Sequence, residues 1–272
     1  MSTGDFSKED RAFIARAVAF CDRIGPDSVV LLVGSRAAGL IYEGWADLDL
    51  WIVGHRDALS ESERATYDRE RQLFVDRGDL EAHFSFYDID DMEAEIEDWP
   101  DAKMWLLSTC KIVHGSLEAL ESLIEQSKTY PKGVAEEKLR YELGRFMIAK
   151  GGCLSMSARS GEAATSIVAV GEIVDAVCKI CCLAEGVPYP YAKWRVTVAR
   201  ETRLGKQLFP SIDRAIAHID ELVATPSERN FREWVPVSEL RSLKDKIVAG
   251  LRELGWQGAW LDEPEENMAM TF

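Results

Sequence analysis

The sequence predicts an α+β chain, with an α/β half followed by an all-helical half. Three observations predict it. Strand-like apolar segments at residues 29–33, 47–53 and 80–87 alternate with helical patterns in the first 130 residues. Beyond a break at Tyr130-Pro131-Lys132-Gly133, apolar residues recur only at helical spacing. The connections between those later helices are short, which favours antiparallel neighbours and hence a bundle. These boundaries place one domain at residues 1–130 and a second at 131–272.

Taken in order, the first helix spans residues 7–24, with Phe13, Ala17, Cys21 and Ile24 among its inward positions, and stops at Gly25-Pro26. The run VVLLV at 29–33 reads as a buried strand that meets Gly34-Ser35 and a short turn-and-helix stretch. The second strand covers 47–53. A polar helix is expected at 60–77, with Tyr67, Leu73 and Phe74 inward, ending near Gly78. The third strand, LEAHFSFY at 80–87, alternates strictly between apolar and polar residues. An acidic helix over 88–99 is broken by Trp99-Pro100. A short helix (101–108), a short strand (110–114) and a helix capped by Ser116 complete the first half. In the second half helices are expected at 134–158, 163–185, 191–204, 211–224 and 238–254, with a break from Gly205 to Pro210. The tail DEPEENMAMTF reads as polar and mobile.

Residues 29–53, VVLLVGSRAAGLIYEGWADLDLWIV, say most about chemistry. Asp47 and Asp49 flank Leu48 at the start of a strand, so both carboxylates take one face while Leu48 and Leu50 take the other. Two neighbouring acids repel unless cations lie between them, as in two-metal phosphoryl-transfer sites. Gly34 lets the backbone approach a phosphate closely, and Ser35 adds a hydroxyl and an N–H. On the third strand Glu81, His83, Ser85 and Tyr87 form the polar face, which would bring Glu81 beside Asp47 and Asp49. Asp79, next to Gly78 in a turn, is the alternative third acid. His83 reads as a polar neighbour.

Gly-Ser after an apolar strand, then Asp-x-Asp opening the next strand, resembles the signature of the nucleotidyltransferase superfamily. The pattern most resembles the antibiotic nucleotidyltransferases of the kanamycin and lincosamide kind. Asp98-Trp99-Pro100 after the third strand, and the short strand around Ile112 and Val113, follow the kanamycin-type pattern too. The resemblance covers the first half in order and the second half more faintly. It implies a polymerase-β-like nucleotidyltransferase domain with a mixed sheet, followed by a helical substrate-binding bundle. It implies two Mg²⁺ ions on Asp47, Asp49 and Glu81, with Gly34, Ser35 and Arg36 holding the β and γ phosphates of ATP or another NTP. The implied reaction moves AMP to a hydroxyl of an aminoglycoside- or lincosamide-like antibiotic and releases pyrophosphate, an activity of antibiotic resistance. The resembled enzymes carry a general base on a helix of the second domain. In the matching region, LRYELGRFMIAKGG, Glu142 is the nearest acid, and Glu137, Glu172 and Asp175 are alternatives. Some of the resembled enzymes are homodimers. Ala46 stands where the family often has Ser directly before the first acid, so a hydroxyl contact to the phosphates is missing here.

Two further cations enter from their own settings. Lys150 follows a short apolar stretch and can reach a phosphate as a point charge. Lys193, inside YPYAKW, reads either as the wall of a small-molecule cleft or as an aromatic helix start.

Composition narrows the partners. The net charge of −15 argues against nucleic acid and against anionic membrane surfaces, and its field favours a cationic small molecule. No apolar run is long enough to span a bilayer, and the start of the chain lacks a signal pattern, so a cytoplasmic protein is expected. Cys178, Cys181 and Cys182 sit in an apolar helical pattern and read as buried free thiols. The four His, at 55, 83, 114 and 218, lack zinc-ligand spacing. Two alternatives stand beside the small-molecule reading. One is nucleotidylation of a protein or tRNA target, as in toxin–antitoxin systems, and the acidity disfavours tRNA. The other is a non-catalytic nucleotide-binding domain, against which the three acids argue.

Overall fold

The computed structural model describes residues 6–40, 47–70, 74–77, 81–155, 162–223 and 231–271. The chain forms two compact units, residues 1–128 and 129–272. The fold is α+β, with a mixed sheet in the first unit and a helical second unit.

Helix α1 (Lys8–Ile24) begins on a capping box. The Ser7 hydroxyl accepts from the Asp10 N–H and the Asp10 carboxylate accepts from the Ser7 N–H, both at 3.0 Å. Strand β1 (Val29–Val33) runs into the short helix α2 (Gly34–Ala38). Strand β2 (Leu48–Gly54), helix α3 (Glu61–Glu70), strands β3 (Phe74–Arg77) and β4 (Glu81–Asp88), helices α4 (Ile89–Ile96) and α5 (Asp101–Thr109), strand β5 (Lys111–Gly115) and helix α6 (Glu118–Ser127) follow. The five strands lie in the order β3-β4-β2-β1-β5. β2 and β4 are parallel, and the other pairs are antiparallel. Alternation decides the faces. Leu48, Leu50 and Ile52 join Phe84 and Phe86 in one core, packed against Phe13 and Ala17 of α1. Each such burial contributes about 1.5–3 kcal/mol.

Two expectations for this unit need correction. The sequence predicts a helix reaching residue 77, but Phe74–Arg77 form an edge strand against β4, with Arg77 opposite Glu81, and the helix is described over Glu61–Glu70. The two strands pair antiparallel, with Phe74 opposite Phe84 as well. The β-branched Val75 and aromatic Phe74 suit a strand better than a polar helix end. Ser116 does not cap α6. Leu117 takes the cap position without a side-chain hydrogen bond.

The second unit holds α7 (Lys132–Ile148), α8 (Ala163–Ala184), α9 (Ala192–Glu201), α10 (Arg203–Ala217), α11 (Asp220–Val223), α12 (Val235–Glu253) and α13 (Ala259–Asp262). Helix α7 continues through a π turn, Ala149–Cys153, up to residue 155. The expected break at Gly205 to Pro210 is wrong. The chain breaks at Thr202, whose hydroxyl accepts from the Gly205 N–H at 2.9 Å, and α10 runs on through Pro210. Gly205 is needed for close packing, since a Cβ there would lie 1.8 Å from the Ala199 carbonyl oxygen. The tail is not a free end either. It forms a 3₁₀ segment, Pro264–Thr271, whose Asn267 is buried and donates to the Trp260 and Pro264 carbonyls at 2.9 and 3.1 Å. Gly144 of α7 admits this segment, because a Cβ there would lie 2.3 Å from the Asn267 carbonyl oxygen.

Candidate functional site

The loop and first acids lie in the first unit. β1 ends at Val33, whose Cα partner on β2 is Asp49. The next residue, Gly34, takes φ +74, and a Cβ built on it would stand 2.8 Å from Asp49 Oδ2. The Gly-Ser turn therefore rests directly on the second acid of the Asp-x-Asp pair. Ser35 is buried and Asp49 half-buried. Asp47 immediately precedes β2 and is half-buried as well. Leu48 and Leu50 face the core, so the alternation turns Asp49 and Trp51 to the other side of the sheet.

Gly34→Ala should therefore fail twice, by left-handed strain and by contact with the carboxylate. The expected cost is about 1–3 kcal/mol, read as a lowered urea midpoint. An unchanged midpoint would mean that the loop stands off Asp49.

Glu81 opens β4, one residue before Ala82, the partner of Leu48. Its side chain lies outside the described part, as does the alternative acid Asp79. Among the described residues no group of three or more His, Cys, Asp or Glu is placed to hold a metal ion. Asp47 and Asp49 offer the hard oxygen donors that suit Mg²⁺. His83 pairs with Asp49 across β2 and β4. Farther along this face the rings of Trp51 and Tyr87 lie 4.5 Å apart, and the Lys103 ammonium sits 5.3 Å from the Tyr87 ring centre. Burial raises the Tyr87 hydroxyl above its ordinary range, and the nearby Tyr67 and Asp49 add to that. Burial pushes the Lys103 ammonium down.

Arg36 points to a residue that sequence reasoning missed. Its Nη1 lies 2.9 Å from Asp10 Oδ2, on the first turn of α1. Ser7 and Asp10 form the capping box of α1, and nothing in that local pattern announces a partner 26 residues away.

In the second unit Glu142 and its alternatives Glu172 and Asp175 meet in one network. Glu142 is 4% exposed, with Oε1 3.1 Å from Lys179 Nζ and Oε2 3.1 Å from Arg145 Nη1. Arg145 also reaches Asp175 at 3.2 Å and pairs with Glu172. Asp175 pairs in turn with Lys179 at 3.0 Å and with Arg195. Three acids and three cations from α7, α8 and α9 thus close on one another, and Lys179 and Arg195 flank the Tyr189 ring at 5.6 and 5.3 Å. Burial lifts the Glu142 carboxyl above 4.5 despite Lys179 and Arg145. For Asp175 burial also raises the pKa, but Lys179 and Arg195 outweigh it and hold the group below 3.8. A carboxyl with a depressed folded pKa stabilises the fold above its unfolded pKa, and that contribution is lost as pH falls through the folded value. Asp175→Asn should therefore lower stability at pH 7 and flatten the acid loss below pH about 3.8. Parallel stability–pH curves for the two proteins below pH 5 would contradict this.

The other two predicted cations have local partners. Lys150 lies on the π turn near Lys244 and Arg241, with Glu265 and Asp245 as nearby acids, and burial lowers its pKa. The Lys193 ammonium sits 5.4 Å from the Tyr191 ring and 5.8 Å from the Trp194 ring, at the start of α9. Cys178, Cys181 and Cys182 are buried and free, as read from the sequence, and burial pushes the Cys178 thiol up to about 12. Among the described residues, no helix is long and apolar enough to cross a membrane.

Residues 97–195 match the family described as "Domain of unknown function (DUF4037)", a region that excludes Gly34, Asp47 and Asp49. No curated protein matches the chain. The nucleotidyltransferase-like protein from Exiguobacterium sibiricum 255-15 is similar in structure at TM-score 0.45 and 10% identity, covering 97% of this chain and 89% of that one.

Proposed function

We propose that the chain is a Mg²⁺-dependent nucleotidyltransferase that moves AMP from ATP to a hydroxyl of a small molecule. The observation that carries this is the seat of Gly34 on Asp49, 2.8 Å from Asp49 Oδ2 to where a Cβ would stand. A phosphate loop and a metal-ligating acid need that closeness. Asp47, Asp49 and Glu81 are the proposed ligands of two Mg²⁺ ions. When bound, these ions neutralise charge on the triphosphate and align it. Gly34, Ser35 and Arg36 hold the β and γ phosphates, leaving the α-phosphorus open to attack. The acceptor oxygen bonds to that phosphorus, the bond to the bridging oxygen breaks, and pyrophosphate leaves. The proton lost by the acceptor goes to solvent or to a carboxylate base; the resemblance nominates Glu142, whose two oxygens are held by Lys179 and Arg145. Lys150 and Lys193 are secondary candidates for phosphate and acceptor contacts. The net charge of −15 supports a cationic acceptor, for which aminoglycoside- and lincosamide-like antibiotics are the proposed class.

The test is a pyrophosphate-release screen of the four common NTPs against amino sugars and lincosamides, with mass measurement of the products. The expected product is an acceptor heavier by one nucleoside monophosphate. Turnover with no small acceptor, but label transferred to protein or tRNA, would move the acceptor class. Tight NTP binding without any pyrophosphate release would leave a non-catalytic domain.

A further inference from the structure

The Tyr130-Pro131-Lys132-Gly133 break, which no step of the proposed reaction uses, borders a cavity of about 300 Å³ within the second unit. Tyr130 and Lys132 line it at the start of α7, Glu185 at the end of α8, Arg203 at the start of α10, and Leu254 and Trp256 past the end of α12. Its size is at the lower end of small-molecule sites. Tyr130 and Trp256 are 3% and 7% exposed, so they are fixed walls. The Trp256 indole N–H donates to the Ala184 carbonyl and the Tyr130 N–H to the Gly186 carbonyl, both at 2.8 Å. These bonds engage two carbonyls at the end of α8, where a helix otherwise favours a cation.

The lining carries two cations and one acid, in a chain of net charge −15. The acid is already engaged. Glu185 Oε1 accepts from the Arg203 N–H at 2.6 Å and lies 3.6 Å from Arg203 Nε. The cations keep donors in reserve. Among the described residues the Arg203 Nη groups have no partner, and Lys132 pairs with no carboxylate. Both residues are exposed, Arg203 by 73% of its side chain, so their long side chains can turn onto an entering anion. Helix α7 also begins here, behind Pro131, with no side-chain cap on its first N–H groups.

We propose that this cavity binds a small organic anion, a carboxylate or phosphate group carried on an apolar body. Lys132 and Arg203 meet the charged end, and Leu254 with the Tyr130 and Trp256 walls meets the apolar part. The site stands apart from the nucleotidyltransferase reading. It needs no metal, it lies wholly in the second unit, and its charge suits the opposite sign from the cationic acceptor proposed above.

The test uses the full chain, free of Mg²⁺, at fixed ionic strength. Binding of benzoate, phenyl phosphate and the neutral benzamide is followed by ligand-observed nuclear magnetic resonance. One of the two anions, or both, should bind saturably with a Kd of about 1 mM or tighter, as a ligand of this size allows. The tighter of the two names the charged group, and benzamide should bind at least about tenfold more weakly. Lys132→Met and Arg203→Met should each weaken the anion about tenfold, the size of one charge-assisted contact. Both side chains are exposed, so these variants should keep the wild-type thermal midpoint. Leu254→Trp should fill the cavity and abolish binding. If that variant fails to fold, the two methionine variants decide. No saturable binding of either anion, benzamide as tight as the anions, or wild-type affinity in both methionine variants would each overturn the proposal. None of these results bears on transfer by Asp47 and Asp49, which the pyrophosphate screen reads separately.

Discussion

Asp49→Asn should lower nucleotidyl transfer by about a thousandfold, some 4 kcal/mol of transition-state stabilisation. The substitution keeps size and shape and removes the charge that would hold a divalent ion. Asp49 sits on β2 opposite the last residue of β1, against Gly34, on the sheet face opposite the apolar core. The core should therefore not feel the change. Without metal the variant should be as stable as the wild type or slightly more so, because it relieves repulsion between Asp47 and Asp49. Mg²⁺ with ATP should raise the thermal midpoint of the wild type and leave that of the variant where it was. Steady-state pyrophosphate release and a thermal scan check both statements. Wild-type turnover in the variant would mean that Asp49 is an ordinary acid beside a turn.

The second large effect is on stability. Lys179→Met should cost the chain about 3 kcal/mol near neutral pH. The Lys179 side chain is 12% exposed and bridges Glu142 at 3.1 Å and Asp175 at 3.0 Å. Removing it leaves a buried carboxylate with Arg145 as its remaining cation in the network. The loss should depend on pH in a definite direction. Burial already holds the Glu142 carboxyl above 4.5, and deleting a cation raises it further. A carboxyl with a raised folded pKa costs stability when ionised and is relieved on protonation. The penalty should therefore be larger at pH 8 than at pH 5. Urea unfolding at the two values measures it. A loss below about 0.5 kcal/mol, or one equal at both pH values, would show the network to be screened by solvent.

Much of the first unit was legible because its signals are local. The VVLLV run, the Asp-x-Asp strand and the alternation of residues 81–87 each set a face by period two, and the structure pairs them in one mixed sheet. β3 was not legible. Its four residues are shorter than the window over which a period can be told, and a polar helix pattern led into them. Gly205 and Pro210 misled because Gly and Pro usually punctuate chains. Here one fits a close crossing and the other sits inside a helix whose true break is the Thr202 cap. The tail looked mobile by composition, and the small residue that receives it, Gly144, lies more than a hundred residues earlier.

The site divided in the same way. The Gly34-Ser35 turn after the first strand and the Asp-x-Asp pair read as neighbouring motifs, while the contact of Gly34 with Asp49 appears only in the strand register. The network around Glu142 could not be read from the sequence, since it joins Glu142 and Arg145 of one helix to charges on two others. It appears once α8 lies alongside and brings Glu172, Asp175 and Lys179. The Asp10–Arg36 pair joins a cap to a loop across 26 residues, and no local pattern encodes such a partner.

The proposed metal site requires Asp47, Asp49 and Glu81 together to bind divalent ions against a triphosphate. The most direct measurement is Mn²⁺ stoichiometry by electron paramagnetic resonance with a non-reactive ATP analogue, for the wild type, Asp49→Asn and Glu81→Gln. About two ions per wild-type chain are expected, with loss of at least one in each variant. Equal stoichiometry in the wild type and Glu81→Gln would contradict the three-acid site, and equal stoichiometry in Asp49→Asn would contradict the account as a whole.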